Sequence, residues 1–401
     1  MGRPVDLNLR KYWILCDRVD FANDNGEHLF RYLYHQRKDL ACRYVLSKKA
    51  PQWLVMRQEF GSNVIPFGGL RWLYFYLRSR VVISSHLSDL IYPRWVVSKF
   101  MPWRSRFVFL GHGVHARDIS RWFNKYPVDL LLLSVQTEWD TFSPRVSAIR
   151  RGTSLARTTG LPRWDRLSDL RRSSSYDTGK VILFAPTWPR GPWVKFSKLG
   201  RHKSLNINKL VESDWFKKWS GVLRSTELAN FAASSGKEIV FLAHPALFGL
   251  LSSNGEKYFG SCKLASLFDG DVRQILGNAS VMVTDYSSLA WDAAYIEVPV
   301  IYFQDEEDEK RFNLLGGAFQ HRKHGFGPIA ATAEEVAERL IEVEERDFKM
   351  SPEIINVVRS TFKYPAQLHS ETAANEIEKF LRKNPHSPAP DATRITSLED
   401  S

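Results

Sequence analysis

The chain has 401 residues, 44% of them hydrophobic and 25% charged, so it can bury a sizeable core, and its length points to two domains. Fifty-six Lys and Arg against 44 Asp and Glu leave a net charge of +12, which fits an anionic partner such as nucleic acid, anionic lipid or a phosphate-rich polymer. Three scattered cysteines without C-x-x-C spacing argue against a disulfide framework, and no run of about 18 apolar residues is present to form a spanning helix.

In chain order, MGRPVDLNLRKYW lacks the apolar stretch of a signal peptide, so a reduced, cytosolic setting is expected. Short apolar runs then alternate with amphipathic stretches. Tyr12–Cys16, Arg43–Leu46, Val81–Ser84, Phe107–Leu110 and Leu130–Ser134 read as one series of strands. Val181–Ala185, Ile239–Ala243, Val281–Thr284 and Val298–Phe303 read as a second. Their near-continuous Val, Ile, Leu and Phe content is that of parallel strands covered on both faces. Helices are expected over His28–Gln36, after Asp24-Asn25-Gly26, over Asp292–Ile296, and over Glu334–Glu345 with Thr332 as N-cap. Aromatics beside arginines (Arg71-Trp72, Arg94-Trp95, Trp103-Arg104) suit a bilayer interface, or are buried rings with solvated arginines.

The polar stretch Ser168–Lys180 reads as a linker. The expected division is therefore residues 1–170 and 178–383, followed by a disordered tail over 384–401. Two α/β series in tandem predict two Rossmann-like domains, parallel sheets facing a cleft. Ligands are expected beyond the carboxyl ends of the strands.

The chemistry-bearing residues fall at those ends. Thr284-Asp285-Tyr286-Ser287-Ser288 joins a strand to a helix, where hydroxyls and free N–H groups suit a diphosphate; Ser287 or Ser288 could equally be plain helix caps. His244-Pro245 ends another strand, where the imidazole can meet a phosphate, shuttle a proton or simply bond to backbone. Phe107–Gly113 repeats that design, and glycines on both sides of His112 allow close approach; His115 and, more weakly, His86 are alternatives to it. Gly160–Asp165 offers Arg163 to a phosphate, and Ala185-Pro186-Thr187-Trp188 ends a strand on a hydroxyl. No H-x-x-x-H is present, and the acidic run Asp305–Glu309 reads as a solvated face that could at most hold a divalent ion loosely, so no tight metal site is expected. Without a Walker loop or G-x-G-x-x-G, triphosphate hydrolysis and dinucleotide redox chemistry are disfavoured.

As an ordered set these segments resemble the CDP-glycerol glycerophosphotransferase family, the teichoic acid primases and polymerases. Asp24-Asn25 is similar to its early D-N turn, His112-Gly113 to W-H-G-T, and Pro162–Asp165 to P-R-N-D. ILFAPTW over Ile182–Trp188 is similar to A-P-T-W and His244-Pro245 to H-P; Thr284–Ser288 with Asp292 resembles T-D-Y-S-S and its following Asp, and Gly327-Pro328 the G-P segment. Gly111, Val114 and Trp164 stand where the family has Trp, Thr and Asn.

The resemblance implies a GT-B fold and catalysis by His112, as base toward the acceptor hydroxyl, with His244. Thr187, Arg163, Thr284, Asp285, Ser287, Ser288 and Asp292 would lie at or near the donor's phosphates. It implies a CDP-activated polyol as donor, a polyol-phosphate polymer or lipid-linked acceptor, no separate cofactor, and peripheral attachment to an anionic membrane at its cytoplasmic face. A GT-B glycosyltransferase using a nucleotide sugar is the rival reading. A basic nucleic-acid-binding protein is a third, which lacks any recognisable nucleic-acid module, so no nucleic-acid partner is expected.

Overall fold

The computed structural model describes residues 11–92, 105–143, 155–173, 179–187, 194–196, 202–243, 258–266, 272–362 and 368–384. They divide into two units, Met1–Arg166 with Lys363–Ser401, and Leu167–Phe362.

The first unit holds seven strands: β1 (Tyr12–Cys16), β2 (Ala41–Leu46), β3 (Val64–Pro66), β4 (Ser79–Ser84), β5 (Arg106–Phe109), β6 (Leu130–Leu133) and β7 (Ala156–Thr158). All pair parallel, in the order β3-β2-β1-β4-β5-β6-β7. β1 is buried at every position because helices cover both faces of the sheet, which is why the strand shows no alternation. Leu29, Phe30 and Leu33 of the Asn25–Gln36 helix join Met56 and Phe60 of the Trp53–Phe60 helix in one core cluster; Phe75 and Tyr76 of the Leu70–Leu77 helix belong to another. The strand order reverses between β1 and β4, so the loops after these two strands diverge and leave a crevice at their carboxyl ends.

The helix His369–Lys383 returns to this unit. Ala373, Ala374, Ile377 and Leu381 share the core cluster of Leu29 and Phe30. At its start the backbone N–H groups of His369 and Ser370 donate to the two oxygens of Asp165 at 3.0 and 2.8 Å, and His369 Nδ1 donates to Thr159 O at 3.1 Å. The expected second domain, 178–383, is corrected here, because the apolar face of its last helix completes the first core. The expected linker is corrected as well: Ser168–Arg172 continues the helix Arg163–Arg172, and the division between the units falls within that helix. The tail beyond residue 384 lies outside the described residues.

The second unit holds β8 (Val181–Phe184), β9 (Val194–Phe196), β10 (His202–Leu205), β11 (Glu238–Ala243), β12 (Lys263–Ser266), β13 (Ala279–Thr284), β14 (Val300–Phe303) and β15 (Ile329–Ala330). β9 and β10 form an antiparallel pair, and the other strands form a parallel sheet in the order β12-β11-β8-β13-β14-β15. The order again reverses, here between β8 and β13. Trp219 packs edge-on against Phe184 and Phe303, and Phe241 stacks on Phe259. Thr332 caps the Ala333–Glu345 helix as expected, accepting from Glu335 N at 3.3 Å. Asp305 and Asp308 form a capping box at the Glu306–Leu314 helix, and Lys218 lies 3.3 Å from Asp305, so part of the acidic run is structural.

Candidate active site

In the first unit the reversal of strand order gathers three loops. Asp17, directly after β1, is fully buried. It accepts from the backbone N–H groups of Gly26 at 2.7 Å and of Asp24 and Glu27 at 3.1 Å, and from Tyr44 Oη at 2.8 Å and Ser85 Oγ at 2.7 Å. A Cβ on Gly26 would stand 2.5 Å from Asp17 Oδ1, so only glycine lets this carboxylate receive the start of the Asn25–Gln36 helix. Burial first, and then nearby Asp24, push the Asp17 carboxyl up to about 7 against the pull of its donors.

Arg163 draws the second loop in. Its guanidinium donates to Asp24 Oδ1 at 2.9 Å and to the carbonyl of His112 at 2.6 Å, while its backbone N–H reaches Asn25 Oδ1 at 3.2 Å. Asn25 Nδ2 in turn donates to Gly111 O at 2.8 Å. Arg163, expected at or near the donor's phosphates, is nearly buried and braces the turn that carries His112.

That turn presents an exposed His112 after β5, with Gly111 at φ +71°. The ring stacks on His86 at 5.1 Å with 25° between planes and meets His115 edge-on at 5.1 Å. Desolvation of the ring first, and then His86, His115, Arg163 and Arg18, lower it well below the usual imidazole value. An unprotonated imidazole open to solvent can take a proton from a hydroxyl. His115, by contrast, is buried: its Nδ1 donates to Glu138 Oε1 at 2.6 Å, and Glu138 Oε2 accepts from Ser134 N at 2.7 Å and Ser134 Oγ at 2.6 Å. Burial raises the Glu138 carboxyl, yet the His115 and Ser134 hydrogen bonds outweigh it and hold the group low. A Cβ on Gly111 would lie 3.2 Å from the His115 ring, so the glycine at 111 and the histidine at 115 fit one space.

In the second unit Thr187, after β8, and Asp285, after β13, close the corresponding crevice. Thr187 N donates to Asp285 at 2.9 and 3.0 Å and Thr187 Oγ1 at 2.6 Å. Gln304 Nε2 donates to the Asp285 carbonyl at 2.8 Å. Thr284 is fully buried, and its hydroxyl donates to Ala185 O at 2.7 Å. It is thereby corrected from a phosphate ligand to a tie between β13 and β8. Ser287 Oγ accepts from Leu289 N at 3.3 Å. Ser288 is exposed at the start of the Leu289–Tyr295 helix and makes no side-chain cap, so the capping alternative holds for Ser287 only. Asp292 is buried inside that helix. His244 and Trp188 lie outside the described residues.

Burial raises the Asp285 carboxyl from 3.8 to about 6 against its Thr187 hydrogen bonds. The folded unit therefore holds this proton at a pH where the unfolded chain has released it. The associated stability is whole below the unfolded value and is lost as pH rises through about 6. Thermal melts from about pH 4 to 7 are expected to show this decline, flattened in Asp285→Asn. An unchanged slope in the variant would contradict it.

Asp17, Ser85, Glu138 and Gln304 were not legible as site residues. The one local signal for Asp17 is its position as the first polar residue after the apolar run of β1.

A family model described as CDP-Glycerol:Poly(glycerophosphate) glycerophosphotransferase matches residues 5–379. The chain is 27% identical over 381 residues to the minor teichoic acid biosynthesis protein GgaB of Bacillus subtilis (strain 168), covering 92% of this chain and 40% of that protein. It is 30% identical over 161 residues to the teichoic acid poly(glycerol phosphate) polymerase of Bacillus spizizenii (strain ATCC 23059 / NRRL B-14472 / W23), covering 40% and 35%. The chain thus spans less than half the length of these curated relatives. A solved structure of the wall teichoic acid polymerase TagF matches with TM-score 0.66 at 16% identity, covering 94% of this chain and 91% of that one. An S. aureus MnaA–UDP co-structure matches with TM-score 0.56 at 12% identity, covering 94% and 98%. At such identities these likenesses establish the fold, two parallel-sheet α/β units of the expected GT-B kind. The family match runs through both units and across every loop described above, and the chain belongs to the CDP-glycerol:poly(glycerophosphate) glycerophosphotransferase family.

Proposed function

We propose that the chain transfers glycerol phosphate, or a related polyol phosphate, from CDP-glycerol to a teichoic-acid-like or capsular polymer and releases CMP. The observation that carries this reading, within the family, is His112: an exposed imidazole at a strand end, braced by Arg163 and held unprotonated. In this reaction the acceptor hydroxyl attacks the donor's β-phosphorus and gives its proton to His112. The bond from that phosphorus to the bridging oxygen breaks, and CMP departs. Thr187, Asp285, Ser287, Ser288 and Asp292 are assigned to the donor end, Ser288 by its open hydroxyl beside a helix start and Thr187 and Asp285 as its frame. His244 is assigned there by the family resemblance.

Peripheral attachment to the cytoplasmic face of the membrane is part of the proposal. Leu70, Leu73, Tyr74 and Leu77 form an i, i+3, i+4, i+7 stripe, 39 to 86% exposed, with Arg71 and Arg78 beside it. Among the described residues no helix is long and apolar enough to cross a membrane. Trp72 itself is half-buried, packed on the core, beside an exposed Arg71; Arg94-Trp95 and Trp103-Arg104 lie outside the described residues.

The test is incubation of the chain with CDP-glycerol, or with a panel of nucleotide sugars, and a polymer primer. CMP release with a CDP-polyol is expected. Turnover of a nucleotide sugar, with none of any CDP-polyol, would overturn the reading.

A further inference from the structure

The loop after β4 sets a second imidazole beside His112, and its hydrogen bonds fix where that imidazole carries its proton. Ser85 Oγ has one proton and gives it to the buried Asp17 Oδ1 at 2.7 Å. With Asp17 ionised, the 3.0 Å contact between Ser85 Oγ and His86 Nδ1 uses a proton from the ring, so Nδ1–H donates to the hydroxyl. A neutral His86 held this way has its lone pair on Nε2. The ring lies stacked on His112, and 29% of the His86 side chain stays open.

We propose that Asp17, Ser85 and His86 form a proton relay, which makes His86 Nε2 a second proton-accepting position beside His112. The inference rests on the transfer reaction above for its use; the relay's hydrogen bonds do not depend on it. The step balances. When His86 rather than His112 takes the acceptor's proton, the acceptor O–H bond breaks, its electron pair enters the new P–O bond, and the proton forms His86 Nε2–H. The Nδ1 proton moves to Ser85 Oγ, and the serine's own proton moves to Asp17 Oδ1, turning the carboxylate into a neutral carboxyl.

The charged groups around His86 are Asp24, with Oδ2 3.9 Å from Nδ1, Asp20, Arg18 and Arg163, and the titratable ring stacked on it is His112. Burial, aided by the two arginines, brings His86 down to about 4 despite the two aspartates, while Asp17 is pushed up to about 7. His86 is therefore unprotonated at neutral pH and Asp17 can receive a proton there. Asp17 is a positioning residue here; the relay ends on it rather than on Asp24 because Ser85 Oγ reaches Asp17 Oδ1.

The experiment combines nitrogen-15 histidine spectra of the full chain with kinetics of CMP release from CDP-glycerol. The His86 signal, assigned by its loss in His86→Gln, is expected to be neutral with the proton on Nδ1. It should lose that preference in Ser85→Ala and keep it in Ser85→Thr. His86→Gln and Ser85→Ala are expected to lower kcat by about 10-fold with KM for the donor little changed, and Ser85→Thr to recover most of the rate. A His86 protonated on Nε2, or titrating at the ordinary imidazole value, overturns the relay, as does wild-type kcat in His86→Gln. A wild-type chain that releases no CMP from CDP-glycerol overturns the transferase reading instead, and the spectra then decide the relay alone.

Discussion

His112→Ala is expected to lower turnover by about 10²-fold or more while leaving the chain folded. The side chain is exposed, so its removal opens no cavity in the core. What Arg163 holds at this turn is the carbonyl of His112, and what Asn25 holds is the carbonyl of Gly111, both of which alanine retains. The loss should therefore fall on kcat, with the thermal midpoint unchanged, and CMP release at saturating donor is the measurement. A variant with near-normal turnover would show that another group takes the acceptor's proton.

Residues 1–170 expressed alone are expected to fail to fold, whereas the same segment joined by a flexible linker to residues 368–384 is expected to fold. Ile377 and Leu381 are almost wholly buried, as are Ala373 and Ala374. Returning the four side chains to water forfeits about 5 kcal/mol, a large part of the roughly 5–15 kcal/mol that holds a domain together. The fragment also loses the helix start that receives both oxygens of Asp165. Circular dichroism melts of the two fragments decide the matter: a cooperative transition in the short one would show that the helix is dispensable.

The residues explain which parts of the molecule could be read in advance. Every run of four or more Val, Ile, Leu or Phe became a central strand, because a strand covered on both faces needs no other pattern. β3, β7, β12 and β15 went unread because VIP, ART, KLAS and IA are short strands near or at the sheet edges, with too few apolar residues to stand out. The place of His112, exposed just after a strand, was legible from its flanking glycines and the apolar run before it. Asp17 was not, since its donors come from positions as far on as Ser85, and no local pattern marks a residue whose partners meet only in the fold. Arg163 was read as facing a phosphate because its turn looks like an anion site; the carboxylate it meets lies 139 residues earlier. The last helix is amphipathic by any reading, but amphipathicity does not name the core it covers.

The return of that helix also orders events during synthesis. Residues 167–362 are contiguous, so this unit has all its strands and helices once its own last residue is free of the ribosome. The first unit, though translated earlier, must wait with the Leu29 and Phe30 side of its core uncovered until the segment ending at Lys383 emerges. Vectorial folding is thus expected to run against the order of translation, with the nascent first unit exposing apolar surface for as long as the second takes to make. At about 5–20 residues per second that interval is on the order of ten seconds or more, long enough for a chaperone bound near the ribosome to engage it.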